Sequence, residues 1–103
     1  MLQVMKNPDF RDNPDAHRFE LLIDGKVAGH VDYKPTKEAL TVTHTEVMPE
    51  YEGQGVGSKL AKLALDEVRQ RGLKVMPTCE FVASYIKRHP EYRDLVTGDS
   101  EAR

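Results

Sequence analysis

The sequence predicts an α+β fold: a mixed sheet of antiparallel strands, then a strand–loop–helix–strand unit and a final helix. Three observations predict it. Residues 19–47 hold successive apolar runs broken by turn formers, among them Asp24-Gly25, the pattern of an antiparallel meander. Gly53, Gly55 and Gly57 then separate the last run from a long stretch of helical period. A short apolar run after that stretch returns the chain to the sheet, and a parallel return through a helix makes a crossover unit.

The elements follow in order. Leu2 to Met5 has the composition of a short strand, whereas Asn7-Pro8-Asp9 and Asp12-Asn13-Pro14-Asp15 are turn formers. Phe19 to Ile23 is apolar enough for a strand, and Asp24-Gly25 predicts a type I′ hairpin turn. Lys26 to Tyr33 is the return strand, with Val27, Gly29, Val31 and Tyr33 on one face. Pro35 to Glu38 breaks the run. Ala39 to Val47, rich in threonine and valine, reads as the next strand and ends before Pro49.

From about Gly55, the residues Val56, Leu60, Leu63, Ala64, Val68 and Arg71 keep helical spacing, with Lys59, Lys62, Asp66, Glu67 and Gln70 opposite. Gly72 is a natural stop. Leu73 to Met76 is a short strand closed by Pro77, and Phe81 to Arg88 a second helix closed by His89-Pro90. The polar tail from Thr97 to Arg103 is expected to fray.

Composition narrows the function. With 103 residues the chain reads as one domain, 1–103, with an adequate single core. A net charge of −2 gives no basic footprint for nucleic acid. The single cysteine, Cys79, excludes an internal disulfide and a zinc site built on cysteine pairs. A lone thiol suits a reducing compartment, so a cytoplasmic location is expected. No N-terminal signal pattern and no apolar run near the ~20 residues that span a bilayer is present, so no membrane partner is expected. No histidines have helical metal-ligand spacing, and no metal is expected.

The alternating glycines let backbone N–H groups crowd around an anion at a helix N-terminus. Two nucleotide motifs fail. A P-loop needs Gly-Lys-Ser/Thr, whereas Gly57 is followed by Ser58-Lys59. A dinucleotide fingerprint needs a third glycine, and both possible frames lack it.

The window Glu52-Gly53-Gln54-Gly55-Val56-Gly57, preceded by Val47-Met48-Pro49-Glu50-Tyr51, resembles the Arg/Gln-x-x-Gly-x-Gly/Ala signature of the GNAT acetyltransferase superfamily. The order of elements resembles that family's core from its second strand onward. Thr43-His44-Thr45-Glu46-Val47, and Pro77-Thr78-Cys79-Glu80-Phe81-Val82 continuing through Tyr85-Ile86 to His89-Pro90-Glu91-Tyr92, resemble a compact single-domain subgroup. The similarity runs from about Phe19 to Tyr92.

The resemblance implies a GNAT-like fold and an acetyl-CoA site. Gly53, Gln54, Gly55, Val56, Gly57, Ser58 and Lys59 would hold the pyrophosphate, and the backbone near Val47 and Met48 the pantetheine arm. Glu52 departs from the motif. A carboxylate cannot donate to a phosphate, so the N–H groups of Gln54 to Ser58 would bear the binding, with Lys59 adding charge.

Acetyl transfer to an amine needs a base, an oxyanion donor and an acid for the leaving thiolate. Cys79 falls where the family places the thioester. It either accepts the acetyl group or hydrogen-bonds near the carbonyl, or is an inert buried thiol. Tyr85 lies where many members carry a tyrosine that protonates the thiolate, yet Val82, Tyr85 and Ile86 also form a packing stripe. His44 and Glu46 share a strand face and can act as a base pair or form an exposed polar face. His17 and His30 carry no assigned role, and His89 is expected to cap the last helix.

Three functions compete. The leading one is an acetyl-CoA-dependent N-acetyltransferase acting on a small amine, a peptide or a protein lysine. The alternatives are a coenzyme A or acyl-CoA-binding module with little turnover, and an interaction module that keeps only the fold.

Overall fold

The computed structural model describes residues 8–97. The strand expected at Leu2 to Met5, and the tail beyond Thr97, lie outside the described residues. A five-stranded sheet runs in sequence order: β1 (Pro8–Asn13), β2 (Arg18–Ile23), β3 (Lys26–Pro35), β4 (Ala39–Val47) and β5 (Lys74–Pro77). The first four are antiparallel neighbours, and β5 is parallel to β4. Helix α1 (Val56–Gln70) makes the crossover, and α2 (Glu80–Arg88) comes after β5. Short 3₁₀ turns at Pro49–Tyr51 and Pro90–Leu95 complete the order. The mixed α+β sheet expected from the sequence is the one observed.

Local chemistry accounts for the boundaries. Asp24 and Gly25 both have positive φ, 52° and 82°, as a type I′ turn requires. Helix α1 ends in a Schellman closure: Leu73 N–H donates to the Val68 carbonyl and Gly72 N–H to Arg69, with Gly72 at φ 72°. His89 caps α2, its Nδ1 lying 2.9 Å from the Tyr85 carbonyl.

Three expectations need correction. Val27 falls out of phase with Gly29, Val31 and Tyr33, since the register passes from Leu21↔Gly29 to Leu22↔Val27 and leaves Ala28 in excess on β3. Pro8 and Asp9 open a strand and not a turn, since on the edge strand β1 the N–H that Pro8 lacks need not enter the ladder. In α1 the buried set is Val56, Leu60, Ala61, Ala64, Leu65 and Val68. Leu63 is half-buried, and Arg71 caps the core edge with its guanidinium 5.5 Å from the Phe19 ring centroid.

The core lies between the sheet and the helices: Phe19, Leu21, Val31, Tyr33, Leu40, Val42 and Val75 meet the α1 set and Val82, Tyr85 and Ile86 of α2. The register of β3 against β4 slips between Asp32↔His44 and Tyr33↔Val42, so Thr43 is one residue in excess on β4. Such a bulge reverses the inward–outward phase of the residues beyond it. Thr45 and Val47 therefore face the helices, and His44 and Glu46 face the opposite, outer side.

That outer side is polar. Glu20, 1% exposed, accepts from Arg11 Nε at 2.7 Å, Arg18 Nε at 3.0 Å and Asn13 Nδ2 at 3.1 Å. Burial pushes its carboxyl up, but the Asn13, Arg11 and Arg18 donors outweigh burial and hold it at about 2 against an ordinary 4.5. A lowered folded-state value means that the stabilisation is full above 4.5 and fades as pH falls toward 2.

Urea unfolding should show this. Glu20→Gln is expected to lose roughly 2–3 kcal/mol at pH 7, and to lose less further stability than the wild type on acidification to pH 3. Equal acid sensitivity in the two proteins would remove the clamp from the account of stability.

Candidate functional site

The site begins where β4 and β5 part. Their pairing runs from Ala39↔Lys74 to Val42↔Pro77 and stops. Lys74 and Thr78 donate to the Glu38 and Val42 carbonyls, so alternate β5 residues face β4 and Pro77 presents its N to the outer edge. The next donors, Thr78 N–H, Thr78 Oγ1 and Cys79 N–H, all converge on the Val42 carbonyl at 3.1, 2.8 and 3.0 Å. Past this pivot β5 turns into α2, while β4 continues five residues, to Val47. Met48 N–H donates to the Ala28 carbonyl on β3 and the Met48 carbonyl accepts from Tyr51. The ladder alternation then turns the N–H and C=O of Val47 and Thr45 toward the side that β5 has left. Of the two positions expected to present backbone, Val47 faces the opening, whereas both backbone groups of Met48 are engaged.

Beyond β4 the glycine loop leads into α1. Gly53 and Gly55 have φ of 82° and 81°, the left-handed region that disfavours side chains. Gly55 is the N-cap of α1 and no side chain caps the helix. Lys59 supplies the first N–H bonded within the helix, to the Gly55 carbonyl, so the N–H groups of Val56, Gly57 and Ser58 have no partner inside it. An open cavity of about 220 Å³ lies here, lined among others by Val47, Gly53, Gly55, Gly57, Ser58 and Phe81. Glu52 also lines it and is exposed. Gln54 is exposed and its Nε2 donates to the Glu50 carbonyl at 3.4 Å. Lys59 is exposed on the first turns of α1.

Phe81 has no role in the sequence expectations. It is the one exposed large hydrophobic residue among those described, at 38%. A Cβ on Gly57 would sit 2.8 Å from Phe81 Cζ, so the glycine lets the ring lie over the helix start. The sequence signal was a glycine at the second helical position, where no positive φ requires one.

Cys79 is the N-cap of α2, 8% exposed, with its sulfur 3.3 Å from Thr45 Oγ1. The bulge at Thr43 makes that contact possible by turning Thr45 inward. Tyr85 is buried farther along α2, its ring stacked on His89 at 3.9 Å. Burial pushes its phenol up, against a smaller opposing pull from the Lys62 ammonium on α1. His44 and Glu46 are together as expected, with Nε2 3.5 Å from Oε1, both exposed on the outer face. Thus Cys79 and Thr45 lie on the helix side of the opening, His44 and Glu46 on the outer side, and Tyr85 between the two helices.

This combination of a parted strand pair, a glycine loop and an uncapped helix N-terminus can cradle a phosphorylated chain and pass its end between the strands. The family model of the GCN5-related N-acetyl-transferases matches residues 18–95. The chain belongs to that family. It is 41% identical over 54 residues to protein NATD1 of Gallus gallus, a match covering 52% of this chain and 49% of that protein. The chain thus spans about half the length of the relatives it matches. A GCN5-like protein from Staphylococcus aureus, solved by NMR, superposes with a TM-score of 0.66 at 25% identity over 91% of this chain and 92% of that one. A GNAT acetyltransferase from Brucella melitensis, crystallised with acetyl-CoA, shares the fold at a TM-score of 0.54 and 23% identity, over 74% of this chain and 54% of that one. No helix among the described residues is long and apolar enough to cross a membrane.

Gly57→Ala is expected to weaken coenzyme A binding about fivefold by calorimetry, near 1 kcal/mol, because the methyl group and the displaced ring enter the cavity. Phe81→Ala in the same chain should restore part of the loss. No recovery in the double variant would mean that the ring does not transmit the effect.

Proposed function

We propose that the chain is an acetyl-CoA-dependent N-acetyltransferase that transfers acetyl to an amine. The observation that carries this reading is the opening between β4 and β5, flanked at one end by the bare N-terminus of α1 and at the other by Cys79. The N–H groups of Val56, Gly57 and Ser58 suit a pyrophosphate, and the backbone of Val47 suits the amides of a pantetheine arm. Glu52 offers no donor, so the main chain bears the phosphate contacts.

Bound acetyl-CoA supplies the activated thioester. The chain's residues then orient it and manage protons. Thr45 Oγ1 and Cys79 Sγ form a paired polar spot on the inner side of the opening, where a carbonyl oxygen can be held or an acetyl group received. Tyr85, with its phenol pushed up by burial, keeps its proton at neutral pH and is suited to act as an acid. His44 and Glu46 lie on the outer face, where an acceptor can approach without crossing the helices.

The acceptor is a primary amine on a small molecule, a peptide or a protein lysine. The motif from Pro77 to Tyr92 supports placing the matched region in the compact GNAT subgroup. The second reading, an acyl-CoA-binding module with little turnover, gains from the buried state of Cys79.

Two variants test the reading. Cys79→Ala should retain coenzyme A binding within about twofold while thiol release falls by roughly tenfold or more. Intact-mass analysis after incubation with acetyl-CoA should show one acetyl group on the native chain and none on the variant if the sulfur accepts it. Tyr85→Phe should cut turnover about tenfold with binding retained. Tight binding with no thiol release to any amine in a panel of small amines and lysine peptides would leave the binding module as the function.

A further inference from the structure

The outer face holds a histidine that the proposed acyl transfer leaves without a role. His30 on β3 is 8% exposed, the only buried histidine among the described residues. Its Nδ1 lies 2.8 Å from Asp32 Oδ1, two residues along the same strand. An ionised carboxylate only accepts, so Nδ1 donates to Asp32 and locks the ring's orientation; when the ring is protonated Nε2 donates as well. Its other nitrogen, Nε2, then points across to β4, 3.8 Å from Glu46 Oε1. The same carboxylate oxygen is 3.5 Å from His44 Nε2.

Glu46 therefore lies between two imidazoles, one buried and anchored, the other exposed. The remaining charged neighbours are occupied or directed elsewhere. Glu20, directly across from His30 on β2, is saturated by Arg11, Arg18 and Asn13. Arg18, across from Asp32, gives its Nε to Glu20. Both helices pack on the opposite face of the sheet. A carboxylate half-exposed on a strand samples several rotamers, and a buried imidazole gives it a fixed point.

We propose that His30, clamped by Asp32, is a positioning residue that holds the Glu46 carboxylate against His44 as the proton acceptor for the incoming amine. The proposal rests on the acyl-transfer reading above. The amine arrives as an ammonium and loses one proton to the Glu46–His44 pair. Its lone pair forms the C–N bond as the C–S bond breaks, and the nitrogen gives up a second proton. The departing thiolate takes one proton, so the sum is amide, free thiol and one proton released.

The two ring nitrogens can be replaced separately. In His30→Asn the shorter amide keeps a donor toward Asp32 and none toward Glu46; in His30→Gln the longer amide reaches Glu46. With acetyl-CoA and butylamine, His30→Asn is expected to lower kcat about a hundredfold, the low end for loss of a general base, with KM for acetyl-CoA unchanged. Glu46→Gln should match that loss, the double variant should lose no more, and His30→Gln should recover most of the rate.

A second readout needs no turnover. In NMR titrations of the ring resonances, His30→Asn should move the His44 midpoint in the same direction as Glu46→Gln. Wild-type rate in His30→Asn, multiplying losses in the double variant, or an unmoved His44 midpoint would each overturn the proposal while leaving acyl transfer intact. A wild-type protein that neither binds coenzyme A nor releases thiol would overturn the acyl-transfer reading and this proposal with it.

Discussion

Three hydrogen bonds to one main-chain oxygen organise the site. The Val42 carbonyl accepts from Thr78 N–H, Thr78 Oγ1 and Cys79 N–H, and this is where a parallel pair ceases to be a pair. Thr78 N–H makes the last regular ladder bond, and Cys79 N–H folds back on the same acceptor instead of continuing along β4. The rest of the site is set from that point. Strand β4 runs on alone, α2 starts at Cys79, and a slot opens whose far end is the glycine loop. A sheet that stayed paired through Val47 would have no such opening.

The second constraint is one residue of register. Without the excess Thr43, the alternation of Leu40 and Val42 would carry His44 and Glu46 into the core and turn Thr45 outward. The bulge reverses that phase. It lets an apolar half-strand and a polar half-strand succeed each other without burying charge, and it sets Thr45 against Cys79. The inner and outer sides of the opening thus acquire different chemistry from one strand.

Much of this was legible in the residues. Asp24-Gly25 located the β2–β3 hairpin, Gly72 the end of α1, and the alternating glycines its start, because each depends on local backbone conformation. His44 and Glu46 were paired correctly because they are two apart on one strand. The features that escaped depend on tertiary placement. The strand character of Pro8 and Asp9 required knowing that β1 is an edge. His30 and Asp32 gain their meaning from Glu46 on the neighbouring strand, and Phe81 from Gly57 on another helix. Tyr85 could be assigned to α2, but its contact with Tyr92 on the turn that follows was not in the spacing.

The start of α1 has one more consequence. Its exposed donors are main-chain amides, so amino-acid replacement around them leaves the donors in place provided Gly53 and Gly55 keep their left-handed backbone. Glu52 illustrates this freedom: an acid stands at the first position of the familiar motif while the geometry behind it is whole. The demand such a loop makes is on conformation more than on side-chain identity. Its kind is therefore read more surely from where glycines fall than from the residues between them.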